Sequence, residues 1–172
     1  MSIYTRIASI NGESFNPEIT TGFLANYQRD DVRKTHLFED RYENIYLTSQ
    51  HIPALKTLID EATEHAENIL QIKNLRAGFW FNYMPPDSAT LIHSHDDDDE
   101  ILSAVYYVDV PKNSGNLVIY KNSCETDSNK VEIIPRAGDF VFFKPDIRHE
   151  VSRNNSTQSR LSIGINFGQP KD

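Results

Sequence analysis

The segment His93-Ser94-His95 runs directly into Asp96-Asp97-Asp98-Asp99-Glu100, and His149 and Arg160-Leu161-Ser162 follow downstream. Two imidazoles one residue apart share a face of an extended strand, about 6.6 Å apart along the chain, so both rings can converge on one ion. Imidazole with carboxylate favours iron(II), zinc, copper or nickel, and the lone thiol, Cys124, argues against a structural zinc knot. A third imidazole from His149 would close a facial triad with open coordination positions, which catalysis requires and a structural site does not.

Arg160 and Ser162 share one face of a strand with Gly164 and Asn166, while Leu161, Ile163, Ile165 and Phe167 form the opposite face. A buried guanidinium needs an anion, and Arg-x-Ser can grip a carboxylate through a fork of N–H donors and a hydroxyl. The four aspartates read as a solvated loop that draws cations, because packing four like charges around one ion costs more than most sites recover.

These groups need a scaffold. Pro53 opens a helix in which Leu55, Leu58, Ile59, Ala62, Ala66, Ile69 and Ile72 recur at helical spacing. After about residue 77 the period becomes strand-like, with segments at 78–84, 90–95, 102–110, 117–120, 131–134, 139–143, 150–153 and 161–167. Asn113-Ser114-Gly115-Asn116 and Arg136-Ala137-Gly138-Asp139 are turn sequences. Short strands with no helices between them predict a sandwich or barrel buttressed by the preceding helix. In the first fifty residues the clear pattern is Phe38–Leu47, a strand or arm.

The chain has 172 residues, 38% of them hydrophobic and 24% charged, enough for one core, so a single domain over 1–172 is expected: an arm and helix to residue 76, then a β core over 77–168. With 25 acidic against 17 basic residues and a net charge of -8, nucleic acid is not an expected partner. One cysteine gives no intrachain disulfide, and neither a signal-peptide core nor a run of about 18 apolar residues occurs, so the expected address is cytoplasmic, away from membranes. An exposed sheet edge or the N-terminal arm would suit a homodimer.

Trp80-Phe81-Asn82, His93-Ser94-His95, Leu102 to Val108, Pro111 to Leu117, Ile134 to Asp139 and Arg160-Leu161-Ser162-Ile163 fall in the order found in the iron(II)- and 2-oxoglutarate-dependent oxygenases. Over residues 78–168 the chain resembles a group of small bacterial and phage members of that family with a His-x-His motif. The resemblance implies a mainly β, double-stranded β-helix (jelly roll) with an N-terminal buttressing helix. It also implies a dioxygenase that hydroxylates a C–H bond of a small molecule or peptide side chain, with release of succinate and carbon dioxide. Iron(II) would be held by His93, His95 and His149, and the distal carboxylate of 2-oxoglutarate by Arg160 and Ser162. Asn82 and Tyr106 are the polar candidates to line the same pocket.

The family's carboxylate position, two after His93, holds His95, which leaves three ligand sets open. They are His93/His95/His149, then His95/Asp97/His149, and His93 with His149 plus a carboxylate of the acidic loop; the first is preferred and Asp97 is the alternative carboxylate. A cupin-type metalloprotein, an isomerase or cosubstrate-independent dioxygenase using His93, His95, Glu100 and His149, is the rival reading. A noncatalytic anion-binding barrel is the third. A cupin has no general need for the Arg-x-Ser clamp, which favours the oxygenase.

Overall fold

The computed structural model describes residues 2–95, 99–121 and 127–170. In chain order the elements are β1 (Tyr4–Ala8), α1 (Gly12–Asn26), β2 (Arg33–Phe38), β3 (Arg41–Tyr46), α2 (Ala54–Leu70), β4 (Arg76–Met84), β5 (Thr90–His93), β6 (Glu100–Asp109), β7 (Leu117–Tyr120), β8 (Lys130–Ile133), β9 (Asp139–Phe143), β10 (His149–Val151) and β11 (Arg160–Gly168). Seven strands form one antiparallel sheet in the order β1-β9-β6-β11-β4-β3-β2, and four form a second in the order β5-β10-β7-β8. This is the expected mainly β double-stranded β-helix.

Two apolar layers hold it together. On one side of the large sheet, β11 contributes Leu161, Ile163, Ile165 and Phe167 and β6 contributes Leu102, Ala104 and Tyr106, all packed with Leu55, Leu58, Ala62 and Ala66 of α2. That is the helical stripe expected after Pro53. Between the sheets, Tyr107, Val141 and Phe143 of the large sheet meet Leu117, Ile119 and Ile133 of the small one. Strand alternation sends successive residues of β6 and β11 into different layers, so the central strands are buried on both faces.

The first fifty residues hold more than the single strand or arm expected there. β1 pairs with β9 along the edge of the large sheet, and β2 and β3 form a hairpin that extends its other edge through Ile45 opposite Phe81. Helix α1 escapes a propensity reading because Pro17 lies inside it and Gly12 starts it. Tertiary packing overrides propensity: Ile19 and Phe23 are fully buried, and Phe15 and Tyr27 pack beside them at four-residue spacing. Gly12 is required by close approach, since a Cβ there would lie 2.9 Å from Gly138 Cα. Gly138 itself sits at φ 89° in the turn that returns the chain to β9.

Phe23 stacks on Tyr27 at 4.9 Å and meets Phe81 at 5.1 Å and Tyr83 at 5.2 Å, which ties α1 to β4. Phe23→Ala is expected to destabilise the protein by about 3 kcal/mol or more, read as a lower urea midpoint; an unchanged midpoint would show that α1 is not part of the cooperative core.

Candidate metal centre and anion clamp

His149 and His93 are directly opposite each other in the β10–β5 pair of the small sheet. Their ring centroids are 4.3 Å apart. Strand β5 ends at His93, two residues earlier than expected, so His95 is delivered by the chain beyond it and is fixed by its backbone N–H, which donates to Pro145 O at 2.7 Å. The His95 ring lies 5.0 Å from that of His93 and 5.1 Å from that of His149. One ligand atom from each of the three falls within 4.8 Å of the others.

The imidazoles are oriented for binding. Nδ1 of His93 donates to Leu91 O at 2.8 Å and Nδ1 of His149 to Ile147 O at 2.9 Å. Each bond protonates Nδ1 and leaves the Nε2 lone pair as the ligand. Burial, with His93 and His95 close by, pushes His149 down to about 3, so it is neutral at physiological pH, as a ligand must be. Neutral nitrogen donors suit iron(II), so the residues present fit a mononuclear ion. Among the described residues no carboxylate joins the group. Asp96, Asp97 and Asp98 lie outside the described residues.

The large sheet supplies the other wall. Ser162 of β11 is in register with Asn82 on β4 and with Tyr107 on β6, so three polar side chains form a row across the sheet on the cavity face. Arg160 begins the same strand and is 1% exposed. Its Nη1 donates to Gly115 O at 2.9 Å, its guanidinium sits 5.1 Å over the Tyr107 ring, and its Nε has no partner. The hydroxyl of Tyr107 is likewise buried, with the Arg160 guanidinium as its polar neighbour. Gly115, at φ 97°, brings its carbonyl to Arg160, and a Cβ there would lie 2.3 Å from Ser152 O. Among the described residues no carboxylate forms an ion pair with Arg160, so burial depresses its proton affinity with only the Tyr107 hydroxyl opposing. Orphaned donors around a buried cation are what an absent anion would satisfy.

The three imidazoles, Arg160 and Ser162 line one cavity of about 460 Å³. Its lining includes His36, Glu43, Asn44 and Tyr46 of the β2–β3 hairpin, none of which was a sequence-based site candidate. Arg41 ties that hairpin down, donating to Asn82 Oδ1 at 2.9 Å, Ala89 O at 2.9 Å and Glu43 Oε1 at 3.0 Å. The amide of Asn82 is thereby oriented with its N–H₂ away from Arg41. Tyr106 is placed elsewhere than expected: it faces the helices, and its hydroxyl donates to Asn16 Oδ1 at 2.7 Å. Its neighbour Tyr107 is the cavity residue. Both alternation phases of β6 are apolar, so the sequence could not say which tyrosine points inward; only pairing to β11 fixes that phase. Trp80, which reads as packing, also lines the cavity, its indole 5.6 Å from the His95 ring.

The depressed His149 sets a pH dependence. An unfolded histidine binds its proton near 6.5 and the folded one only near 3, so between those values the unfolded state binds more protons and stability falls as pH falls. Metal-free protein is therefore expected to keep this contribution above about pH 6.5 and to lose up to about 1.4 kcal/mol per pH unit below it. Urea unfolding between pH 7 and 4 should show a shallower decline for His149→Gln. Parallel declines would contradict the buried neutral imidazole.

No curated protein sequence matches the chain. Among solved structures, the non-heme alpha-ketoglutarate-dependent carbocyclase SnoK from nogalamycin biosynthesis aligns with 97% of this chain and 79% of its own, at 18% identity and a TM-score of 0.72. A Pseudomonas putida prolyl-4-hydroxylase aligns with 97% of this chain and 93% of its own, at 17% identity and a TM-score of 0.70. A Trichoplax adhaerens prolyl hydroxylase, solved with a peptide fragment of the hypoxia inducible factor oxygen degradation domain, aligns with 98% of this chain and 84% of its own, at 17% identity and a TM-score of 0.72. Identities this low speak for the fold. Residues 78–166, 89 of the 172, match the family model described as "Putative 2OG-Fe(II) oxygenase". By that match the chain belongs to the 2OG-Fe(II) oxygenases, enzymes that use iron(II) and 2-oxoglutarate.

Proposed function

We propose that His93, His95 and His149 hold the iron, that Arg160 and Ser162 with Tyr107 and Asn82 hold 2-oxoglutarate, and that the enzyme hydroxylates a C–H bond of a small molecule or a peptide side chain. The observation that carries this reading is Arg160: a guanidinium 1% exposed, with an unpartnered Nε, in the same cavity as three converging imidazoles. Iron(II) with 2-oxoglutarate and oxygen supplies the oxidation, in which one oxygen atom goes to the substrate and the other to succinate as carbon dioxide leaves.

The chain's own residues do the rest. Arg160 and the Ser162 and Tyr107 hydroxyls provide charge-assisted and neutral donors for the distal carboxylate of the cosubstrate. A charge pair about 4 Å apart gains roughly 4 kcal/mol at an effective dielectric of about 20, against about 1 kcal/mol in water, so burial of the clamp gives it its strength. Asn82 turns its N–H₂ away from Arg41 and can donate to a further acceptor. Trp80 and the hairpin residues Glu43, Asn44 and Tyr46 shape the space left for substrate.

Both substrate classes are kept because the solved neighbours include a carbocyclase from nogalamycin biosynthesis on one side and prolyl hydroxylases on the other. We propose further that residues 1–172 act as one domain in the cytoplasm; among the described residues no helix is long and apolar enough to cross a membrane. The cupin reading is disfavoured because the ligand atoms that cluster are the three imidazoles without Glu100.

Anaerobic addition of 2-oxoglutarate to the iron(II) protein is expected to produce a metal-to-ligand charge-transfer band; iron bound with no such band would support the cupin reading. Arg160→Ala should keep its iron but need roughly thirtyfold or more 2-oxoglutarate for half-maximal band or turnover, because truncating one partner of a buried charge pair costs about 2–5 kcal/mol. An unchanged requirement would reject the clamp. His149→Ala should fail to retain iron, and full iron occupancy in it would place the metal elsewhere.

A further inference from the structure

Three imidazole ligands bring no negative charge to a metal. Iron(II) and the two carboxylates of 2-oxoglutarate cancel, and Arg160 then leaves one positive charge in the cavity. Two carboxylates line that cavity among the described residues, Glu43 and Glu100. Glu43 is ion-paired with Arg41 at 3.0 Å. Glu100 is held by the large sheet itself through Asn166.

Strand alternation alone would turn Glu100 away from the cavity, because Leu102 faces the helices and Glu100 lies two residues before it. A β-bulge reverses this. Leu102 pairs with Phe167, and Glu100 with Gly168, so Ile101 is the extra residue. Ile101 and Leu102 both pack on the helix-side core, and Glu100 turns to the opposite face. Bulges re-aim side chains in this way beside active sites. The carboxylate is then fixed by a relay: Asn166 Nδ2 donates to Glu100 Oε2 at 2.6 Å, and Ser103 Oγ donates to Asn166 Oδ1 at 2.8 Å. Ser103 is 1% exposed and Asn166 9%. Asn166 shares the β11 face of Arg160 and Ser162, and Glu100, Asn166, Trp80 and His95 all line the cavity.

We infer that Glu100 is an outer carboxylate of this metal centre, offsetting the charge of an ion held by His93, His95 and His149 without ligating it. The inference rests on the triad proposed above. It assigns Glu100 a role distinct from the cupin-type ligand, because Glu100 is outside the cluster of converging ligand atoms. It also gives the bulge at Ile101 and the Ser103–Asn166 relay a function: they aim and hold one negative charge.

The test is calorimetric titration of metal-free protein with cobalt(II), together with the visible spectrum of the cobalt form. Glu100→Gln keeps an acceptor for Asn166 and removes the charge; it should bind cobalt roughly 10–100-fold more weakly, the range for residues that act on a metal through its surroundings. The cobalt spectrum should keep its shape, and Glu100→Asp should lose less affinity than Glu100→Gln. Asn166→Ala, which removes the Nδ2 donor that aims the carboxylate, is a second variant expected to weaken binding in the same direction. Wild-type affinity in Glu100→Gln, or in Asn166→Ala should the first variant fail to fold, overturns the inference; a changed spectrum in Glu100→Gln overturns it too, by making Glu100 a ligand. His149→Ala run alongside separates the failures: if it binds cobalt normally, the triad itself is wrong, and if it alone loses the metal, only the role of Glu100 falls.

Discussion

The register of β11 between β4 and β6 is the constraint on which the site depends. β11 is hydrogen-bonded along both edges, and its alternation sends Leu161, Ile163, Ile165 and Phe167 into the helix-side core and Arg160, Ser162, Gly164 and Asn166 into the cavity. A slip of one residue would exchange the two sets. Each buried apolar side chain opposes that exchange by about 1.5–3 kcal/mol, so four of them lock the polar face in place. Cross-strand rows then follow: Asn82, Ser162 and Tyr107 in one, Trp80, Gly164 and Val105 in the next, Ser103 and Asn166 in the third. Gly164 belongs to this order, because a Cβ there would lie 2.6 Å from the Trp80 indole that spans it.

The two halves of the site come from different sheets. His93 and His149 are a cross-strand pair of the small sheet, whereas Arg160 and Ser162 belong to the large one. They share a cavity only because the layer of Tyr107, Leu117, Ile119, Val141 and Phe143 holds the sheets face to face. Tyr107 takes part in both roles, with its ring in that layer and under the Arg160 guanidinium. The low-dielectric surroundings that keep His149 neutral also make a buried Arg160 costly and would strengthen its hold on an anion. Fold and chemistry are linked through one buried layer.

Much of this was legible in the residues. Leu161, Ile163, Ile165 and Phe167 alternate without exception, so the face carrying Arg160 and Ser162 could be read directly. The α2 stripe and the glycine turns at 115 and 138 were equally plain. What stayed hidden depended on pairing. Both faces of β6 are apolar, so Tyr106 and Tyr107 could not be told apart, and the bulge that re-aims Glu100 exists only in the β6–β11 register. Helix α1 was masked by Pro17 and by a narrow buried stripe, and only the β3 half of the β2–β3 hairpin was legible, because several of the hairpin's polar residues line a cavity.

The most direct measurement is the anomalous difference map of a crystal grown anaerobically with iron(II) and 2-oxoglutarate. One iron peak bonded to Nε2 of His93 and His149 and to the imidazole of His95, with the distal carboxylate of 2-oxoglutarate on the guanidinium of Arg160, is the expected result. An iron peak away from these imidazoles, or Arg160 bonded to Gly115 O alone while 2-oxoglutarate sits elsewhere, would contradict it.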